Sequence, residues 1–174
     1  MAYITLTQLA DRPGAVELAQ VATPRQHREV DADLLNALLR GQDLVAWPAD
    51  EVVIAQAAQA VIEDALATAE ASINGYLARR GYNLPLATEF PIVTGWARSI
   101  TRYHLHKDRI SGEQNDPIVR DYRDALKFLQ QVASGQFSLG ADDPLTPTSS
   151  GAPIVSAPPR TFSHDTLKEH EPAV

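Results

Sequence analysis

Apolar residues recur along this chain at three- and four-residue spacing, the period of amphipathic helices. The longest periodic segment opens after Asp50, which reads as an N-cap, and runs through Arg80 to Gly81 with no proline inside it. A helix of that length spans about 45 Å. Its main stripe is Ile54, Ala58, Val61, Ile62, Ala65, Leu66, Ala69, Ile73, Tyr76 and Leu77, the expected core face. A second seam of small residues, Val53, Ala57, Ala60, Ala67, Ala71 and Ala78, is broken by Asp64. Helix propensity alone accounts for alanine at surface positions. Small side chains also admit a second helix at close range, so an interface with another subunit is the competing reading of the seam.

Shorter elements flank this rod. Residues 3–22 read as two short helical pieces divided by Pro13 and Gly14. Thr23, Pro24 and Gln26 then have the pattern of an N-cap, a first-position proline and a capping-box glutamine, which predicts a helix from there to Arg40 with a stop at Gly41. A loop with Trp47 and Pro48 follows. Phe90 with Pro91 opens a helix whose stripe is Ile92, Val93, Trp96, Ala97, Ile100 and Tyr103, ending near residues 108–112. Asp116 with Pro117 starts the last helix, striped by Ile118, Tyr122, Ala125, Leu126, Leu129 and Val132, and Gly135 ends it. On its wet face Arg120 and Asp124 are spaced to pair. Three amphipathic helices with short connections predict an all-α fold. The expected form is an antiparallel bundle with one long central helix and short N-terminal helices, its core built from Ile62, Leu66, Ile73, Leu77, Trp96, Ile100, Tyr122, Leu126 and Leu129.

The pattern changes at residue 141. Six of the twelve prolines lie between Pro144 and Pro172, amid Ser, Thr and Gly, so an extended C-terminal tail is expected in place of helix. This divides the chain into a helical domain, residues 1–140, and a tail, residues 141–174. Alone the tail has too little apolar surface to offset its ordering entropy. Ile154, Val155 and Phe162 are spaced as anchors for docking on a partner, and a plain linker is the competing reading.

Composition and charge narrow the function. With 174 residues, 44% hydrophobic and 21% charged, the chain has the make-up of one ordinary globular domain. There is no cysteine, which excludes disulfides, thiolate zinc sites and a cysteine nucleophile. The net charge of -7, with Lys and Arg scattered in short groups, argues against tight wrapping of duplex nucleic acid. Arg98, Arg102, Lys107 and Arg109 crowd one region and leave a small helical DNA-binding regulator as a weaker reading. Neither a signal peptide nor a membrane span is expected, because Gln56, Gln59, Glu63 and Asp64 interrupt the longest apolar stretch.

No phosphate-cradling, dinucleotide, zinc-protease or nucleophile-elbow motif occurs. His104, His106 and Asp108 are the best metal-like cluster, yet on one helix His106 points away from the other two. The carboxylate pairs Glu63 with Asp64 and Asp142 with Asp143 read as solvated charges. Trp96 belongs to the core stripe; Trp47 is open between core and interface. The expectation is a protein that is not an enzyme, with no cofactor and no metal.

Residues 71–86, ASINGYLARRGYNLPL, followed by ARSITRYHLHKD at 97–108 and YRDALKFLQQVASGQFSL at 122–139, resemble a family of small proteins from the head-morphogenesis region of Mu-like phages and prophages. The opening YITLTQLADR, residues 3–12, is similar too. Together these cover most of residues 3–140 in the family's order; residues 25–47 and the proline-rich tail depart from it. The resemblance implies a head-tail connector, an adaptor forming a dodecameric ring between the portal protein and a stopper or tail-completion protein in the virion neck, assembled in the host cytoplasm. Genomic DNA would pass through the ring without being read, and an acidic lining would let it slide. A stopper or tail-completion role in the same neck is the alternative. On this reading Val53, Ala57, Ala60, Ala67, Ala71 and Trp47 are candidate interface residues in the body, and Ile154, Val155 and Phe162 in the tail.

Overall fold

In a computed structural model the described residues, 2–110, 116–140 and 143, form a helical bundle, with no strand among them. The elements are α1 (Leu6–Leu9), a kinked connection (Ala10–Gly14) in which Arg12 is extended, α2 (Ala15–Ala22), α3 (Ala32–Leu39), α4 (Ala49–Arg80), α5 (Pro91–His106) and α6 (Pro117–Ser134). α4, α5 and α6 pack on one another, while α2 and α3 pair and close over α4. The start of α5 meets the end of α6, where Trp96 stacks on Phe128, and the end of α5 meets the start of α6, where Tyr103 stacks on Tyr122 at 3.9 Å. Those contacts make α5 and α6 antiparallel. Arg80 and Gly135, at the ends of α4 and α6, adjoin each other and set those two helices parallel.

The caps explain most boundaries. Asp116 accepts a hydrogen bond from Ile118 N at 2.8 Å, Pro117 takes the first position where no amide is needed, and Gly135 ends α6 at φ +79°. Gly81 ends α4 likewise at φ +97°. α4 begins at Ala49, two residues before the expected start, with Pro48 at the cap in place of Asp50; Asp50 and Glu51 sit in its first turn, where carboxylates complement the helix dipole.

The helix expected from Thr23 to Arg40 is not formed over its first half. Thr23 instead closes α2, its hydroxyl donating to Ala19 O at 2.6 Å and accepting from Val30 N at 3.2 Å. Residues 25–29 are all exposed, so a helix there would bury nothing to offset its ordering cost. The cap of α3 is Asp31, which accepts from Asp33 N and Leu34 N. The capping box sits at α1, where Thr5 and Gln8 satisfy each other's backbone amides.

Ile62, Ile73, Leu77, Val93, Ile100, Leu129 and Val132 are buried almost completely, together with Leu18, Leu34 and Leu35 from the shorter helices. Three expected core members, Leu66, Tyr122 and Leu126, are only half-buried, and Val61 and Ile92 are exposed. The stripe on α4 centres on Ala58, Ile62, Ala65, Ala69 and Ile73, which leaves Val61 at its edge. Ala55 and Val119 are buried core residues outside the expected stripes. Arg120 pairs with Asp121 at 3.2 Å and not with Asp124. By length and composition α4 is apolar enough to cross a membrane; here its inner face packs in the bundle.

Candidate interface surfaces

The first surface is the outer side of α4. At about 100° per residue, Val53, Ala57, Ala60, Ala67 and Ala71 fall on one narrow arc opposite Ile62 and Ile73. Val53, Ala60, Ala67 and Ala71 are exposed and Ala57 is half-buried. Gly75 and Ala78 extend the same arc, and both are exposed. Gly75 escaped the sequence reading, although a glycine inside a helix is itself a signal. A Cβ built on Gly75 meets nothing within 4 Å. Its cost to the helix, about 0.5–1 kcal/mol relative to alanine, therefore answers no packing need inside the subunit. Trp47 does not join this face: it is half-buried against the core, with its backbone N–H on Leu44 O at 3.0 Å. Ile154, Val155 and Phe162 lie outside the described residues.

A groove of about 580 Å³ forms the second surface, between α5, α6 and the Pro13 kink. Its floor includes Trp96 and Ala125, and Ile92 and Phe128 stand at its edges, each 40% exposed. One wall carries Arg12, Arg98 and Arg102; the other carries Asp121 and Asp124. The Nε of Arg98 is buried and finds no hydrogen-bond partner among the described residues. Gly95 also lines the groove, and a Cβ added there meets nothing within 4 Å.

At one edge of this groove Glu17 joins α2 to α5. Arg102 donates Nε to its Oε1 at 2.5 Å and NH2 to its Oε2 at 2.7 Å, and His106 Nε2 lies 2.9 Å from Oε1. Burial pushes the Glu17 carboxyl up, but the hydrogen bonds from Arg102 and His106, with their charges, outweigh it and hold the carboxyl below its ordinary range. His104, half-buried beside Tyr103 and Tyr122, is held below the ordinary imidazole range by burial and by Lys107. Asp108 is exposed in the turn after α5. The three members of the metal-like cluster therefore face different surroundings, and no group of three such ligands converges among the described residues.

Both lowered groups make acid destabilising. A histidine whose folded pKa is depressed contributes stability that is present above the unfolded value near pH ~6.5 and is lost as the pH falls below it. A depressed carboxylate contributes stability that is present above about pH 4.3 and lost below. Thermal melts should therefore show stability falling in two stages on acidification. His104→Gln should flatten the first and Glu17→Gln the second; a melting temperature independent of pH from 7 to 3 would contradict both assignments.

Asp143 was expected to be solvated, and it is buried, with 4% of its surface exposed. Arg80 donates Nε to its Oδ1 at 2.9 Å, and the pair is enclosed. The chain returns to the body after α6, where Phe137 packs edge-on against Trp96 and Phe128 and Leu139 N donates to the Tyr82 hydroxyl at 3.2 Å. Asp142 lies outside the described residues; Glu63 and Asp64 are exposed, as expected.

Comparison with known proteins gives consistent matches. A family model described as "Bacteriophage Mu, Gp36" matches residues 3–157 and so extends into the proline-rich segment. The "Mu-like prophage FluMu protein gp36" of Haemophilus influenzae is 38% identical over 101 residues, which cover 57% of this chain and 68% of that protein. "Gene product J" of Escherichia phage Mu is 31% identical over 106 residues, 60% of this chain and 72% of that protein.

Proposed function

Because the chain belongs to the bacteriophage Mu Gp36 family, we propose that it is a structural adaptor of a tailed-phage neck, joining the portal to the stopper or tail. Membership alone points to a structural or morphogenetic role in a phage. The adaptor reading is supported chiefly by the outward side of α4: a rod of 32 residues, about 48 Å long, buries one side and leaves small residues along the other. A ring of identical subunits uses two different patches, one on each flank, that close after a full rotation. The α4 face is suited to be one of them, because residues such as Ala60, Ala67 and Ala71 admit another helix at close range. Such a ring would be dodecameric, would let DNA pass through its centre, and would work by burying surface, without catalysis, cofactor or membrane.

The tail, with Ile154, Val155 and Phe162, would dock onto the portal or an adjacent subunit and gain affinity as it orders. Truncation should be made after Asp143, since the Arg80–Asp143 pair belongs to the body. The truncated chain is expected to keep its helical circular dichroism but to stop joining portal-bearing heads; normal joining would remove the docking role. Imaging an intact virion with this protein tagged tests the whole reading, with density expected in the neck. Tag density confined to the head shell or tail tip would overturn it.

A further inference from the structure

The groove between α5 and α6 is kept open at a cost. Gly95 lies mid-helix, where glycine is about 1 kcal/mol worse than alanine, and nothing within 4 Å requires the missing side chain. Around that gap stand two exposed apolar side chains, Ile92 and Phe128. The Arg98 wall has a buried Nε with no acceptor among the described residues, and the opposite wall carries Asp124. The fitting occupant is an extended segment with one apolar anchor, a cation toward α6 and an acceptor toward α5.

We propose that in the free subunit, before the tail engages any other protein, this occupant is the chain's own segment at residues 158–165, PPRTFSHD, bound within the same subunit. Phe162 would fill the space over Gly95 between Ile92 and Phe128. Arg160, two residues earlier and on the same side of an extended strand, would face Asp124, and a backbone carbonyl of the segment would give Arg98 its acceptor. The two prolines before it limit the conformations lost on docking, as in proline-rich segments that bind aromatic-lined grooves. Reach and position favour the same subunit: Phe137 packs on Trp96 and Phe128 just before the chain is pinned at Asp143. The fifteen residues from there to Pro158 extend up to about 50 Å. A tether of that kind holds the segment at a millimolar effective concentration, so modest affinity suffices.

The absence of cysteine makes the test direct. In the full-length chain, Ser99→Cys in the groove is paired with Ser163→Cys in the segment, and disulfide formation under mild oxidant is compared with a control pair, Gln56→Cys with Ser163→Cys. The groove pair is expected to close at least tenfold faster, giving a cross-linked monomer on a non-reducing gel. Gly95→Leu, which enters open space, should abolish that advantage. So should Phe162→Ala, which lies outside the helices. Asp124→Arg should slow closure, and adding Arg160→Glu should restore it. Equal rates for the two pairs, an advantage that survives both Gly95→Leu and Phe162→Ala, or a product that is mainly a cross-linked dimer would each overturn the proposal, the last by making a second copy the source. Only purified subunit is needed, so the result is separate from whether the protein occupies the phage neck.

Discussion

Replacing Asp143 by alanine is expected to destabilise the subunit by about 3–5 kcal/mol, the usual cost of removing one member of a buried ion pair. Arg80 would then keep its guanidinium in an enclosed site with the Asp143 carboxylate gone, and both side chains are at least nine-tenths covered. For a chain of this size the loss corresponds to a fall in melting temperature of about 10 °C. Asp143→Asn keeps an acceptor and should cost less. Gly135→Ala should act at the same place by another route: the residue sits at φ +79°, and its new Cβ would run into the Arg80 guanidinium. Thermal or urea unfolding distinguishes these variants. A change below about 1 kcal/mol on Asp143→Ala would mean that the pair is worth no more than a surface salt bridge.

The second large effect is expected in assembly and not in folding. Ala67→Arg combined with Ala71→Arg places two long cations on the outward side of α4, where both positions are exposed. The isolated subunit should melt within about 0.5 kcal/mol of the parent, as surface substitutions usually do. Joining to portal-bearing heads should fall at least a hundredfold if two subunits approach along this face, because each arginine would be desolvated without a partner. Gly75→Ala separates the two levels more finely. It should stabilise the free subunit by about 0.5–1 kcal/mol through helix propensity, yet impair assembly where a helix must come close. Complementation of a phage lacking the protein, scored by infectious yield, measures both. Undiminished yield from the double arginine variant would remove α4 from the ring contacts and leave the adaptor reading without its main structural support.

Helices were legible wherever a cap, a periodic stripe and a stop coincided. Pro91, Asp116 with Pro117, Gly81 and Gly135 mark ends that the structure places within a residue or two. The outward seam on α4 was legible too, since helical periodicity alone puts Val53, Ala60, Ala67 and Ala71 opposite Ile62 and Ile73. The T-x-x-Q pattern was not decisive, for it occurs at both Thr5 and Thr23 and only the first forms a capping box. At Thr23 the hydroxyl is claimed by Ala19 and Val30, and the next residues have no apolar surface to bury.

What local sequence determined here is therefore the set of rods, their ends and the side each turns inward, because those depend on residues three or four positions apart. Tertiary structure alone decided which charges are buried and where the open surfaces lie. Arg80 and Asp143 are 63 positions apart, Glu17 and Arg102 are 85 apart, and the groove gathers walls from three separate segments. A carboxylate in a proline-rich stretch looks solvated until the fold brings a guanidinium to it, since the energy of a charge is set by what surrounds it in space and its neighbours along the chain carry no record of that.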